Sequence, residues 1–115
     1  MGYGCQREFH LNEFHRNNIA RQHEAFAPAH GAMALVACVQ EEVGELAAAV
    51  LGVEGEKKRK AHLTKDDVLD AVADAMTYLS LVAGHYGCDD LETLLGKTFN
   101  MVSRRAGSKI FTGCE

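Results

Sequence analysis

The chain has 115 residues, which fits one small domain, because two separate cores of half this size would each be marginal. Hydrophobic residues make up 47% and charged residues 24% of the chain, which is typical of a globular rather than a disordered protein. The formal net charge of −4 provides no global positive field, so we expect no nucleic-acid partner.

The cysteines predict a reduced compartment. Cys5, Cys38, Cys88 and Cys114 form no CxxC pair and show no zinc-finger spacing to histidine. The first residues contain no apolar stretch of signal-peptide length, and no segment approaches the length of a membrane span. We therefore predict a cytoplasmic protein without a membrane partner.

Helical patterns follow one another along the chain, and no segment alternates convincingly as a strand. The first predicted helix runs from about residue 7 to 26 and is ended by "FAPAHG". The second runs from about residue 32 to 53 and is apolar over much of its circumference, as a central helix is. One protomer this small cannot cover such a helix on every side, so we expect a homodimer or homotetramer.

The last two predicted helices carry clear boundary signals. Thr64 is a good N-cap with Asp67 at the capping-box position, and this helix continues to about residue 86. Asp89 is expected to cap the fourth helix, which runs to about residue 105 before Gly107 stops it. The sequence thus predicts one all-α domain over residues 1–115, with its core at about 31–106 and a tail at 107–115.

Acidic residues form a group on each of the two central helices. Glu42 and Glu45 are three apart and share a face, with Glu41 beside them. The third helix carries a second stripe with the same spacing, followed by a tyrosine one turn further on: Asp67, Asp70, Asp74 and Tyr78.

Two interpretations of these acidic stripes remain open. Both could face water, with Asp67 explained by its capping role. Alternatively, they could meet, and then a hard divalent cation would offset their repulsion. Mg²⁺ favours oxygen ligands and retains waters for phosphate substrates, so the second interpretation predicts a magnesium site.

Other polar groups are less informative. The cluster "EKKRKAH" at residues 56–62 is either a solvated loop or a patch that steers phosphates. The six histidines show no dependable metal-ligand pairing, so we expect them at the surface.

The order of these motifs resembles a known superfamily. The segment "EEVGELAAAV", followed by "DAVADAMTYLSLVAGHYGCDDLETLLGKTFNMVSRRAGSKI", is similar to the MazG-like all-α nucleoside triphosphate pyrophosphohydrolases. Their signature is EExxE, a spacer and ExxD, and their relatives include dimeric dUTPases, dCTP pyrophosphatases and phosphoribosyl-ATP pyrophosphohydrolases. The resemblance covers about residues 31–110 and implies a four-helix bundle completed by oligomerisation. "FHRNNIARQHEAF" in the first helix is also similar to the leading segment of bacterial and phage members.

The resemblance also implies roles for individual residues. Glu42 and Glu45 match the first metal-binding pair, and Asp74 matches the aspartate of ExxD. Glu41 matches the leading glutamate, which orients or deprotonates the attacking water. Tyr78 matches an aromatic position that lines the base pocket in some relatives.

A third group lies on the fourth predicted helix. By the same resemblance, side chains on one face of that helix reach the phosphates or sugar of the substrate. The matching residues here, at spacings of three and four, are Lys97, Asn100 and Arg104.

The sequence departs from the family pattern at one point. The glutamate of ExxD should stand three residues before Asp74, where this chain has Ala71. Asp70 is the nearest carboxylate and could reach the same cation from a different angle, and Asp67 is a weaker substitute. The site is therefore either rewired or partly disabled.

The expected function is hydrolysis of a nucleoside triphosphate to a monophosphate and pyrophosphate. Mg²⁺, with Mn²⁺ as a substitute, is held by Glu42, Glu45, Asp74 and Asp70 in this scheme. The alternative is a degenerate relative that binds nucleotide or dimerises without catalysis, because of Ala71. A carboxylate-bridged di-iron bundle is disfavoured, since neither Glu42 nor Glu45 is followed by a histidine three residues on.

Overall fold

The structure, a computed structural model, describes residues 8–26 and 31–113, with no side chain described for Arg59. These residues form four α-helices and one 3-10 helix and contain no strand, which confirms the predicted all-α class. The helices are α1 (Leu11–Ala25), α2 (Ala32–Val53), α3 (Lys65–His85) and α4 (Leu91–Ala106), and the 3-10 helix is Lys58–Lys60. In this part of the chain, no helix combines the length and apolarity needed to cross a membrane.

The helix boundaries agree with the predicted ones at most ends. The bounds of α2 match the prediction, whereas α1 begins at Leu11, after extended backbone at His10. The predicted start at Arg7 and the break at Pro28 lie outside the described residues.

The cap of α3 is the predicted one. The side chain of Thr64 accepts a hydrogen bond from the backbone N–H of Asp67, and the Asp67 carboxylate accepts one from the backbone N–H of Thr64 at 2.7 Å. This reciprocal pair satisfies two backbone donors that the helix itself cannot satisfy.

The cap of α4 differs from the prediction, because Asp90 rather than Asp89 occupies the N-cap position. The Asp90 carboxylate accepts hydrogen bonds from the backbone N–H of Thr93 at 3.0 Å and from its hydroxyl at 2.8 Å. These bonds, the backbone one first, and a further one from the Asn12 side chain lower the pKa of Asp90 to about 2. At the other end Gly107 adopts a left-handed conformation with φ of 70°, as predicted for the residue that stops the helix.

The centre of the protein is the α2–α3 pair, and α1 packs on α3. Several of the side chains buried in these two helices are alanines: Ala49 on α2, and Ala71 and Ala75 on α3. Leu35 and Leu81 are the larger buried residues of these two helices. Alanines let two helix backbones approach closely, so the polar side chains that flank them also come close.

A buried histidine fastens α1 to α3. His15 is fully enclosed, with Nδ1 2.6 Å from the Ser80 hydroxyl and Nε2 2.7 Å from the Cys88 carbonyl oxygen. A carbonyl oxygen only accepts, so Nε2 donates to Cys88 and Nδ1 of the singly protonated ring accepts from Ser80. The prediction that the histidines lie at the surface is therefore wrong for His15, because its two ring nitrogens both find partners inside.

The remaining histidines divide into two groups. His30 lies outside the described residues. The others are exposed, as predicted: His10, His23, His62 and His85.

The fourth helix extends away from the α2–α3 pair and packs mainly against α1. Asn12 at the start of α1 forms two hydrogen bonds of 2.9 Å with Glu92. The backbone N–H of Asn12 donates to the Glu92 carboxylate, and the backbone N–H of Glu92 donates to the Asn12 side-chain oxygen. The radius of gyration is 16.8 Å, whereas a compact domain of this length has a radius of roughly 13 Å. The chain is thus more extended than a compact domain of the same length.

The tail folds back along α4. Ser103 donates to the carbonyl oxygen of Ile110 at 2.6 Å, and the Asn100 side chain accepts from the backbone N–H of Thr112 at 2.8 Å. The Thr112 hydroxyl donates to the carbonyl oxygen of Gly96 at 3.3 Å. These bonds cover one face of α4 and leave its opposite face to other contacts.

Candidate metal centre

The predicted acidic residues of α2 and α3 meet along the interface between these two helices. Four carboxylates line one cavity of about 330 Å³, together with a lysine and small apolar residues. This volume lies at the lower end of the range for small-molecule sites. The carboxylates are Glu45, Asp67, Asp70 and Asp74.

Glu42 lies beside this cavity, among other negative charges. It is half-buried, and its Oε2 atom is enclosed without any hydrogen-bond partner in the described part of the chain. Burial raises the pKa of Glu42, and so do a hydrogen bond with the Glu45 side chain and the negative charges of Glu45, Asp74 and Glu41. A proton or a cation stabilises a carboxylate oxygen that is enclosed in such surroundings.

Tyr78 borders the same group of carboxylates. It is half-buried, and burial raises its pKa, followed by the influence of Cys38 and the charges of Glu42 and Glu41. Its hydroxyl is therefore near the glutamates, and its role beside a substrate base stays a prediction. The exposed Glu41 lies at this end too, where water can reach its carboxylate.

Both carboxylates that could replace the glutamate missing at Ala71 lie at the same cavity. Ala71 is buried and lines the cavity, and both Asp70 and Asp67 line it as well. Asp67, however, already uses Oδ2 to accept from the backbone and hydroxyl of Thr64, at 2.7 and 3.1 Å. Asp67 thus serves the helix cap, and Asp70 as the replacement for the missing glutamate stays a prediction.

Lys60 is a residue of this cavity that sequence reasoning did not single out. The sequence shows a basic cluster at residues 56–62, but it does not show which of these lysines lines the cavity. The 3-10 helix brings Lys60 to the cavity wall, and Gly52 of α2 permits the approach. A Cβ atom at Gly52 would overlap the carbonyl oxygen of Lys60. Gly52, a glycine within an otherwise strong helix, is therefore the feature of the sequence that indicates a close approach of another segment at this point.

The residues predicted on α4 do not join the carboxylates within one protomer. Lys97 and Arg104 are exposed on a helix that packs mainly against α1. Asn100 is buried, and its amide both accepts from and donates to the backbone of Thr112, at 2.8 and 3.3 Å. The structure thus gives Asn100 a role in holding the tail, and substrate contact by these three residues stays a prediction.

The carboxylate oxygens are of the type that binds Mg²⁺, although the side chains that carry them do not converge on one point. Among residues 8–26 and 31–113, no three acidic, histidine or cysteine side chains form a ready-made metal site. Glu45 and Asp74 are both exposed, so their side chains can rotate toward the enclosed Oε2 of Glu42 at small cost. All the donors are carboxylate oxygens, which Mg²⁺ and Mn²⁺ prefer.

A larger groove, of about 780 Å³, runs along α1 and the residues before it. It includes Phe9, Phe14 and Arg21 but none of the predicted site residues. Three of the predicted metal ligands, Glu45, Asp70 and Asp74, line the smaller cavity between α2 and α3 instead.

In comparisons with known proteins, no family model, no curated protein and no solved structure matches this chain. The resemblance to the MazG-like superfamily accordingly stays a prediction from the sequence, and the site is argued from its own residues.

Proposed function

We propose that the protein is a Mg²⁺-dependent nucleoside triphosphate pyrophosphohydrolase, which adds water across the bond between the α- and β-phosphates and releases a nucleoside monophosphate and pyrophosphate. The observation that supports it most is the enclosed, unpartnered Oε2 of Glu42 among the charges of Glu45, Asp74 and Glu41. A carboxylate group of this kind is costly for a purely structural helix pair, and a divalent cation offsets the cost.

Glu42, Glu45, Asp74 and Asp70 would hold the cation, with Mn²⁺ as a possible substitute for Mg²⁺. When bound, the ion supplies positive charge that neutralises phosphate oxygens as the anhydride bond breaks. In this proposal the acidic residues serve the substrate only through that ion, because carboxylates alone repel a triphosphate.

The remaining side chains act on water and substrate. Glu41 is exposed at the edge of the group and accepts the proton of the attacking water. Lys60 lines the cavity and binds a phosphate oxygen with its ammonium group. Tyr78 packs against the base, and the pyrophosphate leaves toward the solvent side of the cavity.

The α4 residues enter this scheme only through another protomer. Lys97 and Arg104 lie on a helix that packs mainly away from the carboxylates of their own chain, so phosphate contacts from them require a homodimer or homotetramer. We also place the protein in the cytoplasm, an assignment with which the free thiols of Cys38 and Cys88 agree.

A pyrophosphate-release screen across normal and damaged nucleotides, with Mg²⁺ and with Mn²⁺, tests the proposal. We expect release from at least one nucleotide, its loss in Glu45→Ala, and its retention in Glu56→Ala, a control on the exposed loop. Activity of Glu45→Ala equal to that of the wild type would refute the metal assignment.

One observation favours a second function, nucleotide binding without catalysis. Ala71 is buried in the cavity wall where the superfamily signature has a glutamate, so the cation could be held too loosely for turnover. Calorimetry with Mg²⁺ and a non-hydrolysable nucleotide separates the two functions. Binding combined with no release from any nucleotide would identify the degenerate protein.

A further inference from the structure

A second, smaller cavity lies where α1 meets the end of α3 and the start of α2. Its volume is about 80 Å³, and it shares no residue with the cavity that the carboxylates line. A space of this size holds a small ion with a few waters, whereas organic ligands need about 300 Å³ or more. Apart from Gly84, its wall consists of three apolar and three polar side chains: Ile19, Leu35, Leu81, Gln22, His23 and His85.

Gly84 lets α1 come close to α3 beside this cavity. A Cβ atom at Gly84 would lie 2.5 Å from Cδ1 of Ile19, so a larger residue there would push Ile19 aside. His85 follows Gly84 directly, and His23 stands four residues after Ile19, about one turn further along the same face of α1. The close approach of the two helices therefore brings two imidazoles that are distant in the sequence to the wall of one cavity.

The nitrogens of both imidazoles are available to a ligand. His23 and His85 are exposed although they line the cavity, so an ion can reach them from solvent. Within residues 8–26 and 31–113, neither ring forms a hydrogen bond or an ion pair, and His85 only packs edge-on against the ring of Tyr86. His15 differs, because both of its nitrogens have partners inside the protein.

The ends of two helices add negative potential at the same place. His23 lies in the last turn of α1, and His85 is the last residue of α3. The carbonyl end of a helix is the negative end of its dipole and favours a cation. If each histidine were protonated to stabilise its own helix end, two positive rings would lie at one cavity. A metal ion avoids this repulsion, because it binds neutral rings and supplies the positive charge itself.

The imidazoles select a different class of ion from the carboxylates. Imidazole nitrogens suit Zn²⁺, Cu²⁺ and Ni²⁺, whereas carboxylate oxygens suit Mg²⁺ and Mn²⁺. We infer that His23 and His85 form a Zn²⁺ site that joins the end of α1 to the end of α3. Zn²⁺ usually takes four ligands, so water occupies the positions that the two rings leave open. This site does not depend on the proposed hydrolase activity.

Calorimetric titration of the untagged protein with Zn²⁺ tests the site, with Mg²⁺ in excess to occupy the carboxylates. The wild type is expected to bind one Zn²⁺. His23→Ala and His85→Ala should each raise the Kd about 10-fold or more, since loss of a group that only supports a metal ligand already has this effect. His62→Ala, at an exposed position outside the cavity, is the control and should bind as the wild type does. A wild type that binds no Zn²⁺, or either cavity variant with an unchanged Kd, would overturn the inference.

Nuclear magnetic resonance of the imidazole nitrogens shows where the ion lies. Zn²⁺ should shift the ring signals of His23 and His85 and leave those of His15 and His62 in place. Zn²⁺ should also raise the thermal midpoint of the wild type but not that of His23→Ala or His85→Ala, because an ion that binds only the folded state stabilises it. Without Zn²⁺, the three proteins should melt alike, since both rings are exposed. Ring signals of His23 and His85 that do not move with Zn²⁺ would overturn the inference.

Discussion

The carboxyl groups of Glu42 and Glu45 lie one helical turn apart on α2, close enough for a hydrogen bond between their side chains. The enclosed Oε2 of Glu42 has no partner among the described residues, and Asp74 of α3 adds a further negative charge. Burial of Glu42 and these neighbouring negative charges favour a proton on its carboxyl group. The pair is thus set to hold either a proton or, in its place, a cation.

The raised pKa of Glu42 predicts how stability depends on pH in the cation-free protein. The folded state binds this proton more tightly than the unfolded state, whose value is the ordinary 4.5. The contribution to the free energy of unfolding is therefore fully present below that value and is lost as pH rises through the raised pKa. Urea unfolding over a pH series in chelator should show this decline, and Glu42→Gln should remove it. Identical pH profiles for the two proteins would contradict the assignment.

The replacement of the missing glutamate can be tested at two neighbouring positions. Asp70→Ala should lower the rate of pyrophosphate release about 10-fold or more. Loss of a group that only supports a metal ligand already has an effect of this size. Adding Ala71→Glu to that variant should restore activity, because position 71 lines the same cavity. Asp66→Ala, on the exposed first turn of α3, is the control and should change little. Full activity in Asp70→Ala would show that Asp70 does not serve the site.

Two glycines of α2 should respond to alanine in opposite ways. At Gly44 an added Cβ meets nothing within 4 Å, so Gly44→Ala should raise the free energy of unfolding by up to about 1 kcal/mol. At Gly52 the Cβ would overlap the carbonyl oxygen of Lys60, so Gly52→Ala should lower it by about 1–3 kcal/mol. Urea denaturation measures both. Gly52→Ala should also raise the KM for nucleotide by displacing Lys60, and an unchanged KM would argue against phosphate contact by Lys60.

His15 should be a structural residue and not a catalytic one. His15→Ala leaves the Ser80 hydroxyl and the Cys88 carbonyl without their ring partner, so the free energy of unfolding should fall by roughly 2–4 kcal/mol. His62→Ala, at an exposed position, should stay within about 0.5 kcal/mol of the wild type. Chemical denaturation of both variants gives the comparison, and equal stabilities would show that the buried hydrogen bonds contribute little.

The parts of the fold that the sequence predicts well are those set by local chemistry. The bounds of α2, the Thr64–Asp67 capping box and the stop at Gly107 all depend on residues within one or two turns. The sequence leaves open whether the acidic stripes of α2 and α3 face water or meet. In the structure, residues of both stripes line the cavity between the two helices.

The parts that the sequence did not predict depend on distant partners. His15 is buried because its ring nitrogens bond to Ser80 and Cys88. These partners lie 65 and 73 residues further along the chain, so no local pattern shows the burial. Asn100 faces a tail residue, Thr112, whose path is not visible in helical periodicity. Lys60 lies among similar lysines, and only the close approach at Gly52 distinguishes it.

Binding of Mn²⁺ to the cation-free protein, followed by electron paramagnetic resonance, tests whether the carboxylates of α2 and α3 hold a divalent cation. We expect bound Mn²⁺ in the wild type, competition by Mg²⁺, loss of binding in Glu45→Ala and retention in Glu56→Ala. Wild-type protein that binds no Mn²⁺, or Glu45→Ala that binds it as the wild type does, would show that these carboxylates form no metal site.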